Sequence, residues 1–123
     1  MSKVEDPRNL NYRLLEYGAR VIKLVEFLPK TLVGRRIGDQ LLRSGTSAGA
    51  NYEEAQGAES KDVFVHKRQI ALKELRESNY WLRLLLRAGV LTLEELSNLL
   101  DESGQLRAML SKAVATPKGK AKA

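Results

Sequence analysis

Residues 41–55, LLRSGTSAGANYEEA, place seven small residues in a row, Ser44 to Ala50, inside a chain otherwise dense in leucine, arginine and glutamate. Three readings compete: a phosphate loop, a flexible linker, or a helix with pared-down side chains. A P-loop needs Gly-x-x-x-x-Gly-Lys-Ser/Thr after a strand, so that backbone amides cradle phosphates while the lysine neutralises them. Here no lysine and no strand is present, and Gly45 and Gly49 form only Gly-x-x-x-Gly. A linker would lose the hydrophobic rhythm, yet Ile37, Leu41, Ser44, Ala48, Asn51 and Ala55 continue one stripe at spacings of 4, 3, 4, 3 and 4 straight through the glycines. That register predicts one helix from about Val33 to Gln56. Each interior glycine costs up to about 1 kcal/mol against alanine, so close packing has to offset it. Small residues on every face of two turns predict a helix pinched between neighbours on more than one side, where longer side chains would clash. Ser44, Gly45, Ser47, Ala48, Gly49 and Asn51 are therefore the expected helix-packing and oligomer-forming positions.

Outward from this stretch the helical pattern repeats. Leu14, Gly18, Val21, Val25 and Leu28 recur at helical spacing, with Leu15 and Ile22 widening the stripe, until Pro29 disfavours helical geometry in the residue before it. Lys61 to Ala88 holds neither glycine nor proline. Ser60 is its expected N-cap, Asp62 suits the helix dipole, and Gly89 suits the left-handed closing position. Its apolar arc is broad: Phe64, Ala71, Leu75, Ser78, Leu82 and Leu85 lie at the centre, Val63, Ile70 and Trp81 on one flank, and Val65 and Leu72 on the other. Thr92 with Glu95 forms a capping box, Leu91 with Leu96 a hydrophobic staple, and Leu93 to Leu110 carry a last helix through Gly104. No stretch alternates with period two, so the fold class is all-α, and long helices with short turns predict an antiparallel up-down four-helix bundle. The expected division is a single domain over 1–116 and a disordered basic tail over 117–123.

The 123-residue chain has no cysteine, which excludes disulfides and thiol chemistry, and a net charge of +6, which favours acidic partners. Neither a signal-type N-terminus nor a run of apolar residues long enough to span a bilayer occurs, so the expected setting is cytoplasmic, without a membrane partner. On the third helix His66, Gln69, Lys73, Arg76, Tyr80, Arg83 and Arg87 fall at spacings of 3, 4, 3, 4, 3 and 4 with no acid among them. A basic stripe with an interleaved aromatic suits phosphate neutralisation plus base stacking, and it equally suits an ordinary solvated face. Lys73, Arg76, Tyr80, Arg83 and Arg87 are the candidate nucleic-acid residues. Arg43, Asn51, Glu54, Lys67, Glu74 and Glu77 sit near or within apolar stripes, which predicts hydrogen bonds or ion pairs between helices. The one histidine, His66, lacks a Glu-x-x-His motif or a nucleophile elbow around it, so no metal, cofactor or catalytic centre is expected.

Two segments, QLLRSGTSAGANYEEA and IALKELRESNYWLRLL, in this order and at this separation, strongly resemble the four-helix-bundle proteins of the 23S rRNA-intervening-sequence family. The resemblance covers roughly residues 8–112. It implies an antiparallel four-helix bundle assembling into a ring-shaped homopentamer, and an association with RNA or DNA, because a distant relative binds nucleic acid and a reverse transcriptase. The function expected on both grounds is a non-enzymatic homo-oligomeric module, RNA- or ribosome-associated or a nucleic-acid-binding adaptor. The alternative is a protein-protein interaction scaffold with no nucleic-acid role.

Overall fold

The structure, a computed structural model, describes residues 9–115; the expected basic tail lies outside them. Four helices follow one another: α1 Leu10–Phe27, α2 Leu32–Gln56, α3 Lys61–Arg87 and α4 Leu93–Ala115. Among the described residues there is no strand.

Local chemistry sets the ends. Leu28, immediately before Pro29, is extended at φ −63°, ψ 150°, and α1 stops at Phe27. The Thr31 hydroxyl accepts from the Gly34 amide at 3.0 Å, and the Ser60 hydroxyl from the Val63 amide at 3.1 Å. Gly89 closes α3 at φ 73°, a conformation that costs a residue with a Cβ but not glycine. At α4 the Glu95 amide donates to Thr92 Oγ1 at 3.2 Å while the Thr92 amide donates to Glu95 Oε1 at 2.8 Å, the reciprocal box expected from the sequence.

Each helix packs on two others: α2 on α1 and α3, and α4 on α3 and α1. Leu14, Tyr17 and Val21 of α1 meet Leu41 and Ala48 of α2, Leu75, Leu82 and Leu85 of α3, and Leu96, Leu106 and Leu110 of α4 in one buried core. Tyr17 carries a phenol into it. The Ser78 hydroxyl donates to the Leu75 carbonyl at 2.8 Å, so Tyr17 donates to Ser78 Oγ at 2.8 Å. Burial pushes the Tyr17 phenol up to about 12. At the periphery Arg13 of α1 grips Glu102 of α4 with a two-pronged contact at 2.8 and 3.0 Å. Arg68 of α3 lies over the rings of Phe64 and Tyr52 and donates to the Ala113 carbonyl at 2.8 Å, tying α2, α3 and α4 together.

Ser44, Gly45 and Ala48, the buried small residues at the centre of α2, pack inside the chain. A Cβ on Gly45 would lie 2.8 Å from Val21 Cγ1, and one on Gly49 would lie 3.4 Å from Leu14 Cβ, so both glycines make room for α1. Ser44 and Ala48 are buried, with the Ser44 hydroxyl returned to the Gln40 carbonyl of its own helix. α2 as a whole packs on both α1 and α3 of its own chain, with Gly45 and Gly49 on the α1 side. Asn51 departs from expectation: its amide donates to the carbonyl and hydroxyl of Ser47, one turn back on α2, not to another helix.

Of the side chains that broaden the apolar stripes, Leu72 and Trp81 pack against the core while Leu15, Ile22 and Val63 are left in solvent. Leu15 is 69% exposed, Ile22 42% and Val63 45%, so these helices carry more apolar face than the core of one chain takes up. Leu15, Gly18, Ile22, Thr46, Gly49 and Ala50 line a groove of about 550 Å³ between α1 and α2.

Candidate nucleic-acid interface

A helix with a buried stripe centred on Ala71, Leu75, Ser78 and Leu82 must turn its opposite side to water, and that side is the basic stripe. His66, Gln69, Lys73, Arg76, Tyr80, Arg83 and Arg87 are all exposed. Lys73 and Arg87 are about 21 Å apart along the helix axis at 1.5 Å per residue. Among the described residues, none of Lys73, Arg76, Arg83 and Arg87 forms an ion pair.

The reason lies on another helix. The two acids of α3 that flank the stripe, Glu74 and Glu77, are both taken by Arg43 of α2: Nη1 reaches Glu74 Oε1 at 2.8 Å and Nη2 reaches Glu77 Oε2. Glu77 also accepts from the Trp81 indole N–H at 3.0 Å. The Arg43 guanidinium, and secondarily that indole, hold the Glu77 carboxyl below its ordinary range. Lys67 pairs with Glu54 of α2 at 2.7 Å. Ion pairs between helices were expected for these residues, and they form between α2 and α3. The pairing offsets part of the negative charge beside the stripe, one guanidinium against two carboxylates.

Because the Glu77 carboxyl is depressed in the folded state, its contribution to stability is full above the ordinary carboxylate range and disappears as pH falls through the lowered value. Arg43→Met is expected to cost about 1 kcal/mol at neutral pH, a figure reduced for the half-exposed guanidinium. It should also flatten the acid limb of the stability curve, measured as urea midpoints from neutral pH down to pH about 3. An unchanged acid slope would count against this role for Arg43.

At the middle of the stripe three side chains are organised together. Tyr80 meets Trp81 edge to face, with ring centroids 5.2 Å apart, and the Arg83 guanidinium lies 5.8 Å from the Tyr80 centroid. Arg83 is anchored from beneath: its Nε donates to Asn79 Oδ1 at 2.9 Å, and Asn79 Nδ2 donates to Ser103 Oγ of α4 at 2.6 Å. The Ser103 hydroxyl donates in turn to the Leu100 carbonyl at 3.0 Å. Asn79 and Ser103 are buried, so this relay runs from the core to the surface. Neither Asn79 nor Arg43's neutralising role is evident from spacing alone. The available signal was Ser103, a hydroxyl at an apolar stripe position, which requires a partner when buried.

Of the positions named from the sequence, Tyr80 and Arg83 are brought together, while Lys73, Arg76 and Arg87 extend the same exposed face. Gly45 and Gly49 lie on the α1 side of α2, away from this face. No three residues among His, Asp and Glu converge as metal ligands among the described residues, and no helix there is long and apolar enough to cross a membrane.

Comparison with known proteins agrees with this architecture. A search of curated proteins gave no match. A crystal structure of a protein with unknown function from the S23 ribosomal protein family of Bacteroides thetaiotaomicron VPI-5482 matches with 36% identity and a TM-score of 0.78, covering 88% of this chain and 100% of that one. The family model of the 23S rRNA-intervening sequence protein matches residues 13–112, a span that takes in the small-residue segment of α2, the whole of α3 and all but the end of α4. With four helices, the α2 and α3 signature segments packed on each other, and that match across most of its length, the chain belongs to the 23S rRNA-intervening sequence protein family.

Proposed function

We propose that this protein is a non-enzymatic, self-associating helical-bundle module that binds nucleic acid through the outer face of α3. The observation that carries the reading is one exposed face of α3 on which Lys73, Arg76, Arg83 and Arg87 have no ion-pair partner among the described residues, the neighbouring acids Glu74 and Glu77 both being bonded to Arg43. An ordinary solvated helix face mixes signs along its length. A phosphate backbone is recognised by cations without acids among them. An up-down, antiparallel course is supported by the order of the pairs: Arg43 meets Glu74 and Glu77, while the later Glu54 meets the earlier Lys67.

Arg76→Glu combined with Arg83→Glu is expected to weaken binding to structured RNA at low salt at least tenfold and to reduce the slope of log affinity against log salt by roughly 2 or more. Fluorescence anisotropy across a salt series measures both. Binding unaffected by the reversal, or absent at low salt, would overturn the nucleic-acid reading.

The alternative, a protein-interaction scaffold without nucleic acid, is favoured by a different feature, the open apolar groove between α1 and α2 with Leu15 and Ile22 on its rim. The same groove supports self-association, and the ring of five copies is the assembly that the family resemblance implies. Light scattering tests this part: a monomer mass of 13.8 kDa would remove it.

A further inference from the structure

We infer that the α3 face takes an unpaired stretch of nucleic acid, with a base stacked on the Tyr80–Arg83 unit and the flanking phosphates on Lys73, Arg76 and Arg87. This rests on the nucleic-acid reading of that face and specifies its ligand. Neutralising a duplex backbone needs cations alone, and a half-exposed tyrosine at the centre of such a face meets only sugars and phosphates. An unpaired base offers a free π face, for which an aromatic ring or a guanidinium plane is the complement.

The construction of the unit points the same way. Tyr80 is 48% exposed yet steadied from the side by Trp81, and Arg83 is held beside the ring by Asn79. Arg83 uses only Nε for that anchor, so Nη1 and Nη2 have no hydrogen-bond partner among the described residues. An exposed arginine that merely solubilises a surface has no need of a buried Asn79–Ser103 relay to orient it. A guanidinium fixed by one edge, with its other edge open and its plane near an aromatic ring, is prepared to stack on a base and donate to its edge or to the adjacent phosphate. Fixing it beforehand lowers the ordering entropy that binding would otherwise cost.

The test uses the full chain and two probes of one sequence, a labelled single-stranded RNA of about 12 nucleotides and the corresponding RNA duplex. Wild-type protein should bind the single strand more tightly. Tyr80→Leu should weaken single-strand binding roughly 5- to 100-fold, the loss of about one base stack, while leaving duplex binding within about twofold. Tyr80→Phe should retain single-strand binding, because the ring remains. Trp81, the chain's one tryptophan, reports engagement beside it through its fluorescence. Tighter duplex binding, or single-strand affinity insensitive to Tyr80→Leu, would overturn this inference. Loss of both affinities in Arg76→Glu with Arg83→Glu would then leave the broader nucleic-acid reading standing. Absence of salt-dependent binding to either probe by the wild type would overturn both.

Discussion

Gly34→Ala is expected to destabilise the protein by about 3 kcal/mol, the upper end of what overpacking usually costs, and to lower its melting temperature by on the order of 10 °C. Gly34 is the third residue of α2, under the connection that brings the chain back from α1. A Cβ there would lie 2.0 Å from the Pro29 carbonyl oxygen, 3.0 Å from the Pro29 carbonyl carbon and 3.3 Å from Thr31 Oγ1. The obstructing atoms are mostly backbone, which no rotamer change can move. The first turn of α2 would have to tilt away, and the tilt would break the Thr31 cap on the Gly34 amide, itself worth about 0.5–2 kcal/mol. Gly104→Ala is the control. A Cβ there meets nothing within 4 Å, so the helix-propensity gain of up to about 1 kcal/mol should appear as increased stability. Equal melting temperatures for Gly34→Ala and wild type in a calorimetric scan would contradict the account of this turn.

The second large effect is expected at Gly45, where alanine should cost about 2 kcal/mol after its propensity gain is counted. Val21 presents both methyls to the site, at 2.8 and 2.9 Å from the added Cβ. It is fully buried, and a β-branched side chain in a helix has one strongly preferred rotamer, so it cannot turn aside. Val21→Ala opens that space, and the double variant should be more stable than the two single effects added together, by about 1–3 kcal/mol in a double-mutant cycle. If the room left by Gly45 instead served another molecule, Val21→Ala would bring no relief. Gly49→Ala should cost nothing and gain up to about 1 kcal/mol of helix propensity, since its Cβ would stand at ordinary contact distance, 3.4 Å, from Leu14.

These two glycines mark the limit of what the sequence makes legible. Helix ends were readable because their causes are local: Pro29 acts on Leu28, Ser60 on Val63, Thr92 and Glu95 on each other, and Gly89 on its own φ. The helical nature of the segment from Ser44 to Ala50 was readable because periodicity survives small residues. What those small residues face was not, since the identity of Val21 as the neighbour of Gly45 depends on how two helices cross. Gly34 escaped notice for a similar reason: its constraint comes from a carbonyl five residues earlier that reaches it only when the turn is formed. At the candidate interface the exposed stripe followed directly from the wheel. The partners that shape it, Arg43 on α2 and Ser103 on α4, come from other helices. Their chemical type could be anticipated from polar groups near apolar stripes, but their pairing could not, as Asn51 shows by turning back to Ser47.

The bond from Arg43 to Glu74 and Glu77 makes the electrostatic character of α3 a property of tertiary structure. In a detached segment over 61–87, Glu77 would be left to Lys73, its neighbour one turn back, and both carboxylates would compete with any phosphate for the cations beside them. Docking α2 brings a guanidinium to the two carboxylates and weakens that competition from within the protein, so folding itself strengthens the positive face. Anything that binds this face strongly is therefore linked to the α2–α3 contact and should reinforce it in proportion to its occupancy. An isolated α3 peptide carries the residues of the surface without the surface.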